Sequence, residues 1–305
     1  MIATVARQHV RSLRRQHVFT VTMFTFVAMT VSAGAIGWSS HNTIVRVYDD
    51  ATALLGAEGK PAPPNPFELV APLAVLTNLV IYVPLIGSLV ALIIGHLSVA
   101  DDQATGIGRL IFSRRLRRSS YLAGKLQGTG AVLAIALAAS WVVSVVSLRI
   151  ANGDLPGIDE LVRLAGFELV SWLYLMVFAL IGMTTALATA RRSLGLLSGL
   201  GVWLVITFAL PQFTSGLRPT TSLNPVTDPV NTSQTFFQIT ANARPISISE
   251  QYKTIGAHLL GATTDATTAD VWLRTLPILA ALAALGALAW WLVSRHDYSR
   301  GTTDA

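Results

Sequence analysis

The residues best placed to do chemistry in this chain form one basic segment, which reads DDQATGIGRLIFSRRLRRSSYLAGK from Asp101 to Lys125. Two acids begin it, five arginines follow, and a lysine ends it. Such a segment attracts anionic lipid headgroups or the acidic side chains of a partner protein. The chemistry that it favours is therefore electrostatic contact, and not catalysis.

The rest of the chain offers few candidates for catalytic residues. Its six histidines show no metal-ligand spacing such as HExxH, and cysteine is absent. A phosphate-binding P-loop requires Gly-Lys followed by Ser or Thr, whereas Lys60 precedes proline and Lys125 precedes leucine. We therefore expect no catalytic, metal or cofactor site in this chain, and any ATP and magnesium would be bound by a separate subunit.

The composition favours a lipid bilayer as the environment of the chain. Hydrophobic residues make up 52% of the 305 positions, charged residues 12%, and the mean hydropathy is +0.56, whereas soluble domains carry about 25% charged residues. The net charge of +6 lies in short clusters beside apolar segments, which argues against nucleic-acid binding. We predict one integral membrane domain over residues 1–300 and a polar tail over 301–305.

Apolar windows of bilayer-spanning length predict an all-α protein with six transmembrane helices. The windows are 18–38, 72–97, 126–148, 167–190, 194–213 and 275–293. The first is longer than the apolar region of a signal peptide, so a retained span is expected. Pro84 predicts a kink in the second window. Glu168 lies at the edge of the fourth, where we expect it to reach headgroup water.

The distribution of basic residues predicts the orientation of the chain. Most of them fall in the N-terminal segment 1–17, the loop 98–125, the pair Arg191 and Arg192, and the C-terminal tail. Because cytoplasmic loops retain Lys and Arg, this pattern predicts a multi-pass cell-membrane protein with both termini in the cytoplasm. Segment 1–17 is either an interfacial amphipathic helix or a flank that only sets orientation.

Two long connections would then be external, over residues 39–71 and 214–274. In the second, Ser247 and Glu250 form a capping-box pattern ahead of an apolar helical repeat. This predicts a short helix in a small cap over the bundle. Gly195 and Gly199 have the four-residue spacing that allows close helix contact in lipid, either within one chain or at a homodimer face.

The basic loop resembles the corresponding loop of ABC-2 type transporter permeases. The family pattern is an acid, a Gly-Thr or Thr-Gly pair, an apolar helix, a turn with Ser and Arg, and Gly-Lys opening the third span. The matching positions are Asp102, Thr105, Gly106, Leu110, Ile111, Ser113, Arg118, Gly124 and Lys125. The layout is also similar, and it is most similar to the branch named for multicopper-enzyme maturation and nitrous oxide reductase assembly.

The resemblance implies a subunit that pairs with a second permease copy or a homologous permease and docks on an ABC ATP-binding subunit. Loop 98–125 would act as the coupling helix, and the compound exported would be apolar or amphipathic. The coupling residues that the resemblance implies are Asp101, Asp102, Thr105, Gly106, Leu110, Ile111, Phe112, Arg114, Arg115, Arg191 and Arg192.

Two alternatives to this interpretation stay open. A membrane scaffold or sensor could couple an ATPase to maturation, immunity or complex remodelling without transport. A basic loop that only sets topology would also account for the arginines, although not for the Asp-Thr-Gly start or the apolar centre.

Overall fold

The computed structural model describes residues 2–61, 71–104, 118–189, 191–214, 242–262 and 268–295. These residues are almost entirely helical and contain no strand. They include six helices that are long and apolar enough to cross a membrane. The predicted all-α architecture with six spans is therefore confirmed.

The helices are labelled α1 to α8 in chain order, and α2, α3, α4, α5, α6 and α8 are the candidate spans. Their bounds are Ile2–Arg15 for α1, Val18–Ala57 for α2, Arg118–Asn152 for α4, Ile158–Ala188 for α5, Ile248–Leu259 for α7 and Thr268–Arg295 for α8. Helix α3 combines Leu79–Tyr82, a π-helical turn Val83–Gly87 and Ser88–Ala104. Helix α6 combines Arg192–Leu204, a π-helical turn Val205–Ala209 and Leu210–Thr214. Short 3₁₀ turns lie at Pro72–Leu76 and Arg244–Ile246.

Helix α2 continues far beyond its apolar window. Its 40 residues extend about 60 Å, which is twice the thickness of a hydrocarbon layer of about 30 Å. No proline or glycine interrupts the chain between Ser39 and Leu55, so nothing stops the helix where the hydropathy falls. The helix therefore continues into the segment 39–71 that the sequence predicts to be external, because hydropathy measures compatibility with lipid and not the length of a helix.

Helix α5 forms the centre of the bundle, and its side chains are buried over most of its length. It crosses α3 at very short distance, because Gly95 and Gly182 have no side chains. A Cβ atom on Gly95 would lie 2.0 Å from the carbonyl oxygen of Ala179, and one on Gly182 would lie 2.1 Å from that of Leu92. Such backbone contact is typical of helices packed in lipid.

Each of the spans α3 and α6 contains one π-helical turn, and the two turns lie near each other. The turn in α3 includes Pro84, whose missing N–H interrupts the α-helical hydrogen bonds. It lies where the sequence predicts a kink. The hydroxyl of Ser88 donates to the carbonyl of Pro84 and accepts a hydrogen bond from Nε1 of Trp203 at 2.7 Å. The spans are therefore joined by side chains beside both turns.

Helix α7 is inserted among the spans, whereas the sequence suggested a cap above them. Ser247 caps it as predicted, since its hydroxyl accepts a backbone N–H at 3.4 Å. Tyr252 is fully buried, stacks on Tyr174 of α5 with 4.5 Å between ring centroids and hydrogen-bonds to Ser171 at 2.8 Å. This part of the 214–274 connection is therefore a component of the core.

Candidate functional site at the arginine-rich end

One end of the bundle gathers the basic residues, and we call it the arginine-rich end. It is formed by α1, the last turn of α3, the first turns of α4 and α6, and the last turn of α8. Asp101 and Asp102 lie in the last turn of α3. Negative charge at this position opposes the helix dipole, so the two acids require cations from neighbouring elements.

Asp102 turns inward to a buried ion pair. Its Oδ2 lies 2.7 Å from Nζ of Lys125, and the side chains of Asp102 and Lys125 are only 16% and 8% exposed. The hydroxyl of Tyr121 donates to the same carboxylate at 2.8 Å, and the ammonium lies 5.6 Å from the centroid of the Tyr121 ring. The first two turns of α4 are therefore attached to the end of α3.

Asp101 turns outward and connects two further elements. Its Oδ1 accepts a hydrogen bond from Arg192 at the start of α6 at 2.8 Å, and its Oδ2 accepts one from Gln16, just after α1, at 2.9 Å. At the far end of the same loop, Arg118 donates to the carbonyls of Val293 and Ser294, which end α8. Both ends of loop 98–125 are thus anchored to other helices.

Helix α1 lies against α4 through two glycines. A Cβ atom on Gly124 would lie 2.6 Å from Val5, and one on Gly128 would lie 2.9 Å from His9. His9 is 3% exposed and hydrogen-bonds to Thr129 at 3.1 Å. The apolar face of α1 is therefore covered largely by α4.

The opposite face of α1 carries the arginines. Arg7, Arg11 and Arg15 are exposed and line a shallow surface depression of about 500 Å³. This face can contact acidic groups of a partner or of lipid without any rearrangement of α1.

Lowering the pH from 7 to 5 is expected to weaken the docking of α1. Burial, and secondarily the charge of Lys125, lowers the pKa of His9 from 6.5 to about 3. Docked His9 is therefore neutral, whereas the ring on an undocked helix takes up a proton below its ordinary pKa. The contribution of His9 to docking is complete above pH 6.5 and is lost as the pH falls from 6.5 towards 3.

Hydrogen exchange of the α1 amides, corrected for intrinsic exchange rates, measures this effect at the two pH values. His9→Asn is the control, because its amide can bond to Thr129 and does not titrate. Equal protection of the unmodified chain at pH 7 and pH 5 would contradict the prediction.

Gly195 and Gly199 of α6 contact the same chain. A Cβ atom on Gly195 would lie 3.0 Å from Cε1 of His96, and one on Gly199 would lie 3.1 Å from Oγ1 of Thr185. His96 is 2% exposed, and neither ring nitrogen has a hydrogen-bond partner in the described part of the chain. A smaller cavity of about 380 Å³ lies beside it and is lined in part by Arg192.

The structure brings together only some of the residues that the sequence singles out. Asp101, Asp102 and Arg192 meet at this end, and Arg191 directly precedes α6. The other candidates lie outside the described residues, namely Thr105, Gly106, Leu110, Ile111, Phe112, Arg114 and Arg115.

Sequence reasoning missed the roles of Gln16 and Tyr121. The only available signal was that two adjacent acids at the end of a span require nearby donors. Within the described ranges, no group of three His, Asp or Glu side chains is arranged to hold a metal ion.

A comparison with protein families decides what kind of protein carries this end. The family model described as ABC-2 family transporter protein matches residues 3–298. The chain belongs to the ABC-2 transporter family. The match is to the family as a whole and does not single out the multicopper-enzyme-maturation branch. No curated protein matches this sequence.

Membership of the family fixes the general role of this ABC-2 protein. It is a multi-pass membrane subunit of an ABC transporter, a permease with six apolar helices. Permeases of this family generally work with an ABC ATP-binding subunit, and the membrane subunit is not itself an enzyme.

Proposed function

We propose that this permease exports an apolar or amphipathic compound and is driven by an ATP-binding subunit that docks on loop 98–125. The observation that carries the proposal is the junction at Asp101 and Asp102. Three spans, α3, α4 and α6, and the segment after α1 meet at these two acids. A displacement of the loop would therefore reach all of them at once.

In this proposal the arginine-rich end faces the cytoplasm, where the ATP-binding subunit is located. The positive-inside rule supports this orientation. At the opposite end of the described chain, basic residues such as Arg149 and Arg163 are interspersed with acids at Asp154, Asp159 and Glu160, so no basic cluster forms there. The aliphatic and aromatic side chains of Leu110, Ile111 and Phe112 would seat in a cleft of the ATP-binding subunit.

The nearby basic residues would complete the docking surface. Arg114 and Arg115 would pair with acids of the subunit, and Arg191 and Arg192 would form a second, smaller contact. ATP and magnesium would be bound by that subunit alone.

The proposed source of energy is supported by the charge distribution within the spans. From Leu169 to Ala188, α5 contains no Asp, Glu, Lys or Arg, and the same holds for α3 from Leu79 to Ala100. A proton- or ion-coupled transporter would normally place carboxylates there as a relay. The compound would pass between two permease copies. The resemblance to the multicopper-enzyme-maturation branch does not define which compound this is.

Replacing both Leu110 and Phe112 with aspartate is expected to abolish co-purification with the ATP-binding subunit. Burial of two such side chains contributes about 3–6 kcal/mol, so their loss should weaken binding about 100-fold or more. The matched control is Leu155→Asp with Ile158→Asp, two exposed apolar residues at the opposite end. Undiminished association and stimulated ATP hydrolysis in the loop variant would overturn the docking proposal.

Transport itself is tested with the permease and its ATP-binding subunit reconstituted in vesicles. Nucleotide-dependent movement of a labelled amphiphile is expected. If the permease stimulates hydrolysis but no candidate compound moves, the scaffold or sensor function replaces the exporter.

A further inference from the structure

A groove on the outer surface of the bundle is not used by the coupling end. It lies between α4 and α5 and has a volume of about 490 Å³, within the range of small-molecule sites. Ala134, Ala138 and Ala165 are exposed along it, and Trp141 and Trp172 also line it. The small side chains of these three alanines leave the groove open on the outer surface of the bundle. In a membrane protein this surface faces lipid.

One carboxyl group lies in this apolar groove. Glu168 is 8% exposed, and its Oε1 has no hydrogen-bond partner in the described part of the chain. Ser140 of α4 lies beside the carboxyl, and Ser140 hydrogen-bonds to Thr30 of α2 at 2.5 Å. One oxygen of the carboxyl therefore lacks the partner that a buried acceptor normally has.

The depth of the groove in the membrane follows from α5. Glu168 precedes the end of α5 at Ala188 by twenty residues, which is about 30 Å along the helix and matches the hydrocarbon thickness. The residues between them are uncharged, whereas Asp159, Glu160 and Arg163 precede Glu168. The carboxyl therefore lies near the boundary of the leaflet opposite the arginine-rich end. The prediction that it reaches headgroup water disagrees with its burial beside α4.

The chemistry of the lining selects a cation. A buried carboxyl without a charged partner is costly, and none of the described residues that line the groove is basic. Trp141 and Trp172 line the groove, and indole rings are the aromatic groups that attract ammonium most strongly. At this depth, an ammonium group comes most readily from an amphiphile whose chain remains in the leaflet.

We propose that this groove binds the protonated or quaternary amine headgroup of an amphiphile, with Glu168 as its counter-ion and Trp141 and Trp172 beside it. The alkyl chain leaves sideways into the leaflet, along the exposed alanines. Binding needs neither nucleotide nor the ATP-binding subunit, so it is independent of the transport proposal and is tested separately from it.

The test uses the purified full-length chain in a maltoside detergent, which carries no amine. Equilibrium dialysis measures the binding of labelled dodecylamine, with dodecanol as the neutral compound of equal chain length. Dodecylamine is expected to bind more tightly than dodecanol. Glu168→Gln, which keeps the shape and the contact with Ser140, should weaken dodecylamine binding about tenfold or more, the usual contribution of a charged hydrogen bond.

Two further variants make the result specific. Asp159→Asn removes an exposed acid from the same helix and should leave binding unchanged. Ala138→Phe fills the groove from an exposed position, keeps Glu168 and should abolish binding, so it serves if Glu168→Gln does not fold. Binding of a lysophosphatidylethanolamine as tight as that of dodecylamine would identify a lipid headgroup as the source, and much weaker binding would identify a free amine.

Three outcomes would overturn the proposal. The first is unchanged dodecylamine affinity in Glu168→Gln or in Ala138→Phe. The second is equal affinity for dodecanol. The third is an unmodified chain that forms a dimer and binds no amine, together with an Ala138→Phe variant that is monomeric. That result would show that a second copy of the chain occupies the groove.

Discussion

Replacing Lys125 with methionine is expected to destabilise the permease by about 3–5 kcal/mol, the usual cost of leaving one partner of a buried ion pair alone. Methionine fills the volume of the lysine stem, so packing changes little. Among the described residues, the Asp102 carboxylate, 16% exposed, then keeps the Tyr121 hydroxyl as its one partner. The last turn of α3 should then separate from α4.

The free energy of unfolding in detergent measures this effect. It is compared among the unmodified chain, Lys125→Met and the two further variants below. The double variant Asp102→Asn with Lys125→Met should recover most of the lost stability, because no uncompensated charge remains. Lys60→Met is the matched control. Its ion pair with Glu58 has the same distance of 2.7 Å, but both side chains are at least 60% exposed, so the change should be about 0.5 kcal/mol or less. Equal losses in Lys125→Met and Lys60→Met would contradict the assigned burial.

Gly95→Ala is expected to give the second large effect. It should lower the free energy of unfolding by an amount at or above the upper end of the range of about 1–3 kcal/mol that is usual for overpacking. The added Cβ atom would lie 2.0 Å from the carbonyl oxygen of Ala179. Since that neighbour is backbone, no side-chain rotation can relieve the contact. Helices α3 and α5 must move apart, and the core of the bundle opens.

Thermal stability of the detergent-solubilised chain, followed by size-exclusion chromatography, measures the loss. Gly201→Ala and Gly286→Ala are the controls, because outside the local helix backbone no atom of the described residues lies within 4 Å of the added Cβ atom in either case. Both should be neutral or slightly stabilising, given the better helix propensity of alanine. A Gly95→Ala protein as stable as these controls would show that the α3–α5 crossing is wider than described.

Much of the fold could be predicted from the sequence, because lipid imposes a simple rule. Every span must be apolar and long, so the six windows can be recognised in the sequence. The extension of α2 to Ala57 could not be predicted in this way, since the outer half of α2 resembles a helix of a soluble protein. The burial of α7 was missed for a different reason. Its pattern around Tyr252 fixes an apolar face but does not show which surface covers that face.

The candidate site was predictable only in part. Clustered charges marked the arginine-rich end, and the Asp102 and Lys125 positions belong to the motif on which the resemblance rests. Their pairing across α3 and α4 depends on how two helices meet, which no local pattern encodes. Glu168 shows the same limit. Its place at the edge of an apolar window was evident, whereas the groove around it required the positions of α4 and α5.

The π-helical turns in α3 and α6 give each of these spans one surplus residue. Such a surplus residue can change its position along the helix axis, because neighbouring residues can exchange hydrogen-bond partners one at a time. As it passes, the helix beyond it rotates by about 100° and advances by about 1.5 Å. Asp101 and Arg192 lie at the other ends of these same two helices. A screw motion of either span would turn that contact on or off while both helices stay folded.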